Sequence, residues 1–138
     1  RVKSTIEVRG ADACPLPLAL SGIAMWTGFL YDPDALSAAE ALGQQFAELA
    51  PIDELFDAAC KDGLQAEVGQ PFLRFARELL EISRDGLTRY QPDSVPLLKP
   101  LDEVLEAGQS PGRSVLDAWS TNSAPDAFLK AVAYTVPS

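Results

Sequence analysis

The chain has no histidine, only two cysteines and one methionine, and an excess of acid over base. Each shortage closes a class of function. Without histidine, a Ser-His-Asp triad or a His-based zinc site cannot be built within these 138 residues. Cys14 and Cys60 are far apart and too few for the disulfide framework of a small secreted domain. Buried free thiols in a reducing compartment are the expected state. With 11 Lys and Arg against 20 Asp and Glu, the net charge is −9. That balance opposes binding to a phosphate backbone, which needs clustered cations, so no nucleic acid partner is expected. The longest apolar run, residues 16–30, is too short to span a bilayer and is interrupted by Ser21, Gly22, Thr27 and Gly28. It reads as a buried core helix, with no membrane partner and no signal peptide.

What is present is an ordinary globular composition, 47% hydrophobic and 22% charged. The expected fold is mostly α with one N-terminal β-strand. Ser4 to Arg9 alternates polar and apolar residues with β-branching, so Ile6 and Val8 face a core while Glu7 and Arg9 share the opposite face. Gly10 ends the strand. From Pro15 onward the chain reads as helices separated by proline and glycine. Asp32-Pro33 caps a helix bearing Leu36, Ala39, Leu42, Phe46 and Leu49 on one face. Pro51 opens another with Ile52, Leu55, Phe56, Ala59 and Cys60, stopped by Gly63. Pro71 opens a longer one with Phe72, Phe75, Ala76, Leu79 and Ile82, stopped by Gly86. Residues 100–107 form a short helix closed by Gly108. Ser110-Pro111 caps a helix with Val115, Leu116 and Trp119 inward. Residues 126–134 carry Phe128, Leu129 and Val132. Residues 63–70 and 91–99 read as loops.

A single strand cannot form a sheet, and its unpaired edges need partners. The expectation is that its partner strands precede Arg1, so that residues 1–12 form a catalytic strand and turn and residues 15–138 a helical region of one domain. Glu7 and Arg9 would stand about 7 Å apart on one face. A carboxylate there suits Mg²⁺, which takes oxygen ligands. A guanidinium suits a phosphoryl or carboxylate oxygen. The same Glu-x-Arg pair also suits a solvated sheet face with a weak ion pair.

The segment Arg1-Val2-Lys3-Ser4-Thr5-Ile6-Glu7-Val8-Arg9-Gly10-Ala11-Asp12 resembles the R-x-K-x-x-x-E-x-R-G-A-D segment of the plant and proteobacterial type of glutamate–cysteine ligase. Gly28-Phe29-Leu30-Tyr31-Asp32 is similar to that family's G-L-L-Y-D. Asp85-Gly86-Leu87 resembles its D-G-L. Leu101-Asp102-Glu103-Val104, followed by Gly108, Ser110 and Pro111, resembles its closing segment. The resemblance implies the C-terminal portion of a glutamine-synthetase-like α+β ligase. It implies ATP-dependent joining of the glutamate γ-carboxylate to the cysteine amine, the first step of glutathione synthesis. It also implies Mg²⁺ as cofactor, ATP as co-substrate, glutamate and cysteine as substrates, and the upstream part of the same polypeptide as partner. On it, Glu7 is the metal ligand, Arg9 the catalytic and phosphate-facing residue, and Asp12 a support for the turn or for Arg9. A cytoplasmic location follows. Where the family has Gly-Gly-Pro-Trp, this chain has Ala13-Cys14-Pro15-Leu16, so the family's tryptophan is missing there and Cys14 is not assigned the family's regulatory disulfide role. A sister ligase with another amine acceptor and a non-catalytic helical interaction module are the alternatives. The chain by itself is expected to be inactive.

Overall fold

In a computed structural model, residues 8, 14–121 and 124–133 are described. The described part is helical: α1 (Leu16–Leu30), α2 (Pro33–Ala47), α3 (Ile52–Asp62), α4 (Phe72–Tyr90), α5 (Lys99–Ala107), α6 (Pro111–Thr121) and α7 (Pro125–Val132). Mostly α is therefore correct. The expected N-terminal strand falls almost wholly outside the described residues. Val8, the one member of that stretch described, is in no strand and 40% exposed.

α4 is the centre. α1 and α2 pack along it, and α5 and the 3-10 turn at residues 92–98 pack against both α1 and α4. One core cluster joins Ala24, Leu80, Leu87, Leu98 and Leu105. A second joins Leu55, Ala66 and Phe72, with Phe46 beside them. The Phe46 ring stands edge-on to Phe72 at 4.9 Å and to Phe75 at 5.0 Å. Such aromatic pairs stabilise beyond their buried area.

Several helix ends follow the sequence signals. The Asp32 side chain accepts from the Ala35 amide at 2.8 Å, capping α2. Gly63 and Gly108 end α3 and α5 with φ of 57° and 62°, backbone that favours glycine. Ser110 Oγ accepts from the Arg113 amide at 3.3 Å at the start of α6.

Other expectations are corrected. Gly86 does not stop its helix, which runs on to Tyr90. Its role is packing: a Cβ at Gly86 would collide with the Gly28 carbonyl and stand 2.9 Å from the Ala35 Cβ. A Cβ at Gly28 would collide in turn with Ser83. The two glycines let α1 and α4 cross backbone to backbone, and Ser83 Oγ donates to the Met25 carbonyl at 2.8 Å across the crossing. The segment read as a loop at 63–70 holds a 3-10 turn, Gly63–Gln65, and a small antiparallel hairpin. In it β1 (Glu67–Val68) pairs with β2 (Gln70–Pro71) around Gly69, whose φ is 68°. The segment at 91–99 is likewise mostly a 3-10 turn.

Three faces expected inside lie open. On α3 only Leu55 is buried, while Ile52, Phe56 and Cys60 are exposed. On α6, Val115, Leu116 and Trp119 are all exposed; Trp119 instead meets the half-buried Phe128 of α7 edge-on at 5.0 Å. α1 is buried on one face only, through Ser21, Ala24, Gly28 and Phe29. The physical reason is common to all three. An apolar period shows that a face seeks cover, not that this segment of chain supplies it.

Candidate functional site

The three residues expected to carry chemistry, Glu7, Arg9 and Asp12, lie outside the described residues. What the structure shows is the scaffold that follows them. α1 begins at Leu16, with Pro15 extended before it and the Ala19 amide bonded to the Pro15 carbonyl at 3.0 Å. Cys14, beside it, is a half-buried free thiol, and Cys60 is an exposed one. Both are free as expected, but neither is fully buried.

The strongest electrostatic arrangement lies at the other end of α1. Tyr31-Asp32 turns the chain from α1 into α2. There Arg89, in the last turn of α4, donates from Nε to Asp32 Oδ2 at 2.9 Å and from its terminal nitrogen to Oδ1 at 2.8 Å. A bidentate guanidinium–carboxylate pair fixes orientation as well as charge. The Arg89 hydrogen bonds first, then the Ala35 amide, lower the Asp32 pKa from 3.8 to about 2. Asp32 raises the Arg89 pKa in return. Tyr31 stacks on Tyr90 at 5.2 Å beside the pair. Within α1, Trp26 meets Phe29 edge-on at 4.8 Å. Sequence reasoning missed Arg89. The one signal was its place one turn beyond Asp85-Gly86-Leu87.

Among the described residues, two surface crevices bear on the site. One, of about 270 Å³, lies between α4 and α5 and is lined by Arg77, Glu81, Asp102 and Glu106 among others. Its cations are already engaged: Arg84 pairs with Asp102 and Glu81 at its edge, and Arg77 donates to the Leu105 carbonyl at 3.1 Å. The other, of about 360 Å³, lies where the 3-10 turn after α3 meets the start of α6. There Gln65 donates to the Gly108 carbonyl, and Arg113 is held by Asp117 at 3.0 Å. Among the described residues, no group of three or more His, Cys, Asp or Glu is placed to hold a metal ion. No helix among them is long and apolar enough to cross a membrane.

In the sequence, the R-G-A-D segment, residues 9–12, precedes this helical scaffold. The family model for glutamate–cysteine ligase family 2 matches residues 1–131, and the chain belongs to that family. It is 30% identical over 121 residues to the chloroplastic glutamate–cysteine ligase of Arabidopsis thaliana, covering 87% of this chain and 23% of that protein. It is 28% identical over 122 residues to glutamate–cysteine ligase A, chloroplastic, of Oryza sativa subsp. indica, covering 88% of this chain and 25% of that protein. The match to the chloroplastic ligase of Brassica juncea is 29% identical over 121 residues, covering 87% and 23%. The chain thus spans about a quarter of the length of the curated relatives it matches. No solved structure matches it significantly.

Proposed function

We propose that the chain is the closing segment of a glutamate–cysteine ligase and supplies one wall of its ATP site. The observation that carries this reading is the family match over residues 1–131, which includes Glu7, Arg9, Gly10, Ala11 and Asp12. On this reading residues 4–9 form one strand of a glutamine-synthetase-like sheet, whose other strands belong to the part of the polypeptide that this chain does not cover. Glu7 and Arg9 then share one face of that sheet.

The reaction is the ATP-dependent joining of the glutamate γ-carboxylate to the cysteine amine. The γ-carboxylate oxygen attacks the terminal phosphorus of ATP, and ADP leaves. The cysteine nitrogen then attacks the acyl carbon, phosphate departs with the bonding electrons, and the amine loses a proton. Arg9 binds oxygens of the transferring phosphoryl group bidentately and offsets their charge. Asp12, just beyond the turn, holds that turn or the Arg9 side chain in place. Glu7 fits Mg²⁺ by the chemistry of its donor, a carboxylate oxygen, but one carboxylate is a fraction of an octahedral shell. The remaining ligands belong to the rest of the polypeptide. When bound, Mg²⁺ supplies charge neutralisation at the phosphate oxygens. The free thiols of Cys14 and Cys60 suit a reducing compartment, and we assign a cytoplasmic one.

The test is phosphate release by the purified full-length polypeptide with ATP and Mg²⁺. Release that needs both glutamate and cysteine supports the proposal. Release with glutamate and some other amine, but not with cysteine, would make the protein a sister ligase. No release with any amine would make the segment a non-catalytic helical module.

A further inference from the structure

α1 has no charged residue over its whole length, Leu16–Leu30. A helix that is apolar all round is covered all round. Its Ser21, Ala24 and Gly28 face meets α4. On the opposite side Leu16, Leu20, Ile23 and Leu30 repeat at spacings of four, three and seven, with Thr27 filling the line. These four apolar residues are 66, 39, 64 and 38% exposed. Trp26 flanks them at 37%. The stripe runs about 21 Å along the helix. An open apolar patch of this regularity marks an interface.

We infer that this stripe docks on the sheet of the catalytic core, on the side away from Glu7 and Arg9. The inference rests on the reading of the chain as one segment of a longer ligase. Two observations choose this occupant. The first is connection. Six residues, 10–15, separate Arg9 from α1, a link short enough to return a helix onto the sheet that holds the preceding strand. On the proposed reading of residues 4–9 as a strand, parity sets the side: Ile6 and Val8 alternate with Glu7 and Arg9, so the apolar face available to α1 is theirs. The second is extent. The relatives carry about three quarters of their length beyond the region this chain matches, so the polypeptide has material to supply the sheet. A second copy of the chain meeting α1 would cover the stripe but leave the proposed strand at residues 4–9 without partners. α1 thus acts as a clamp between sheet and helices. One face grips α4 by close backbone approach and the other grips the back of the catalytic wall.

Thiol labelling tests this in the full-length polypeptide, with the labelled peptides separated by mass. Ile23→Cys and Leu16→Cys are compared with Glu40→Cys, on the exposed side of α2. Labelling requires an accessible thiol, so Ile23→Cys and Leu16→Cys should react at least about tenfold more slowly than Glu40→Cys, with no change on dilution. Equal rates would overturn the inference. Protection lost on dilution would assign the stripe to a second copy and also overturn it. The same preparation without substitution is assayed for ligation. Protected thiols in an inactive protein would sink the ligase reading and leave the docking standing, whereas accessible thiols in an active protein would do the reverse.

Discussion

Asp32 is asked to do two things by two oxygens. It caps α2 through the Ala35 amide and clamps the last turn of α4 through Arg89. The sign of its pH dependence follows from its lowered pKa. The unfolded carboxyl titrates near 3.8 and the folded one at about 2. Its stabilisation is therefore complete above the unfolded value and is lost as pH falls through the folded one. Acid unfolding of the Asp32→Asn variant should show less pH dependence between those values than the parent. Asparagine keeps a capping oxygen but not the charge. Asp32→Ala should melt lower than Asp32→Asn, since it loses the cap too. Gly86 carries a different constraint, that of space. Its Cβ would meet backbone rather than a flexible side chain, so the helices would have to separate. Gly86→Ala should destabilise the fold by about 3 kcal/mol, at the upper end of overpacking costs. Thermal unfolding measures this, and an unchanged midpoint would show that the crossing is looser than drawn.

At the scale of elements, helix boundaries were legible because they rest on local chemistry. Asp32-Pro33, Ser110-Pro111, Gly63 and Gly108 stand at helix boundaries because a cap, a proline or a positive φ needs only neighbouring residues. Gly86 misled for the same reason. A glycine after an apolar stripe reads as a stop, whereas here the reason for glycine lies 58 residues away, in the carbonyl of Gly28. Inward faces were legible on α2 and α4, where Leu42, Phe72 and Phe75 are buried. They were not legible on α3 and α6, since periodicity does not say who covers a face. α1 shows this most sharply. Lysine at Leu20 or Ile23 should leave the α1–α4 crossing intact, because neither residue lies on it. Ligation by the full-length protein should nonetheless fall at least about tenfold, as a buried unpaired charge costs several kcal/mol of docking. Unchanged ligation would mean the stripe stays open to water.

At the scale of the whole molecule, we propose that the chain divides into a chemical lead and a mechanical body. The lead, residues 1–12, was the most legible part for function, through the order Glu7-x-Arg9-Gly10-Ala11-Asp12. The strand expected there lies outside the described residues, and a strand takes its form from partners elsewhere in a sheet. The body supplies packing, ion pairs and helix caps. Among its described residues there is no metal-binding cluster. The 138-residue chain on its own should release no phosphate from ATP with glutamate, cysteine and Mg²⁺. Release by it would show a complete site within the chain.

The central claim is that Arg9 faces the transferring phosphoryl group. In the full-length polypeptide, turnover of ATP, glutamate and cysteine by Arg9→Ala tests it most directly. Loss of one preorganised charge contact at the phosphoryl group predicts a fall of about 10²–10³-fold in kcat, with the thermal midpoint unchanged. Turnover near that of the parent would contradict the account and leave Arg9 an ion-pair partner on a solvated surface.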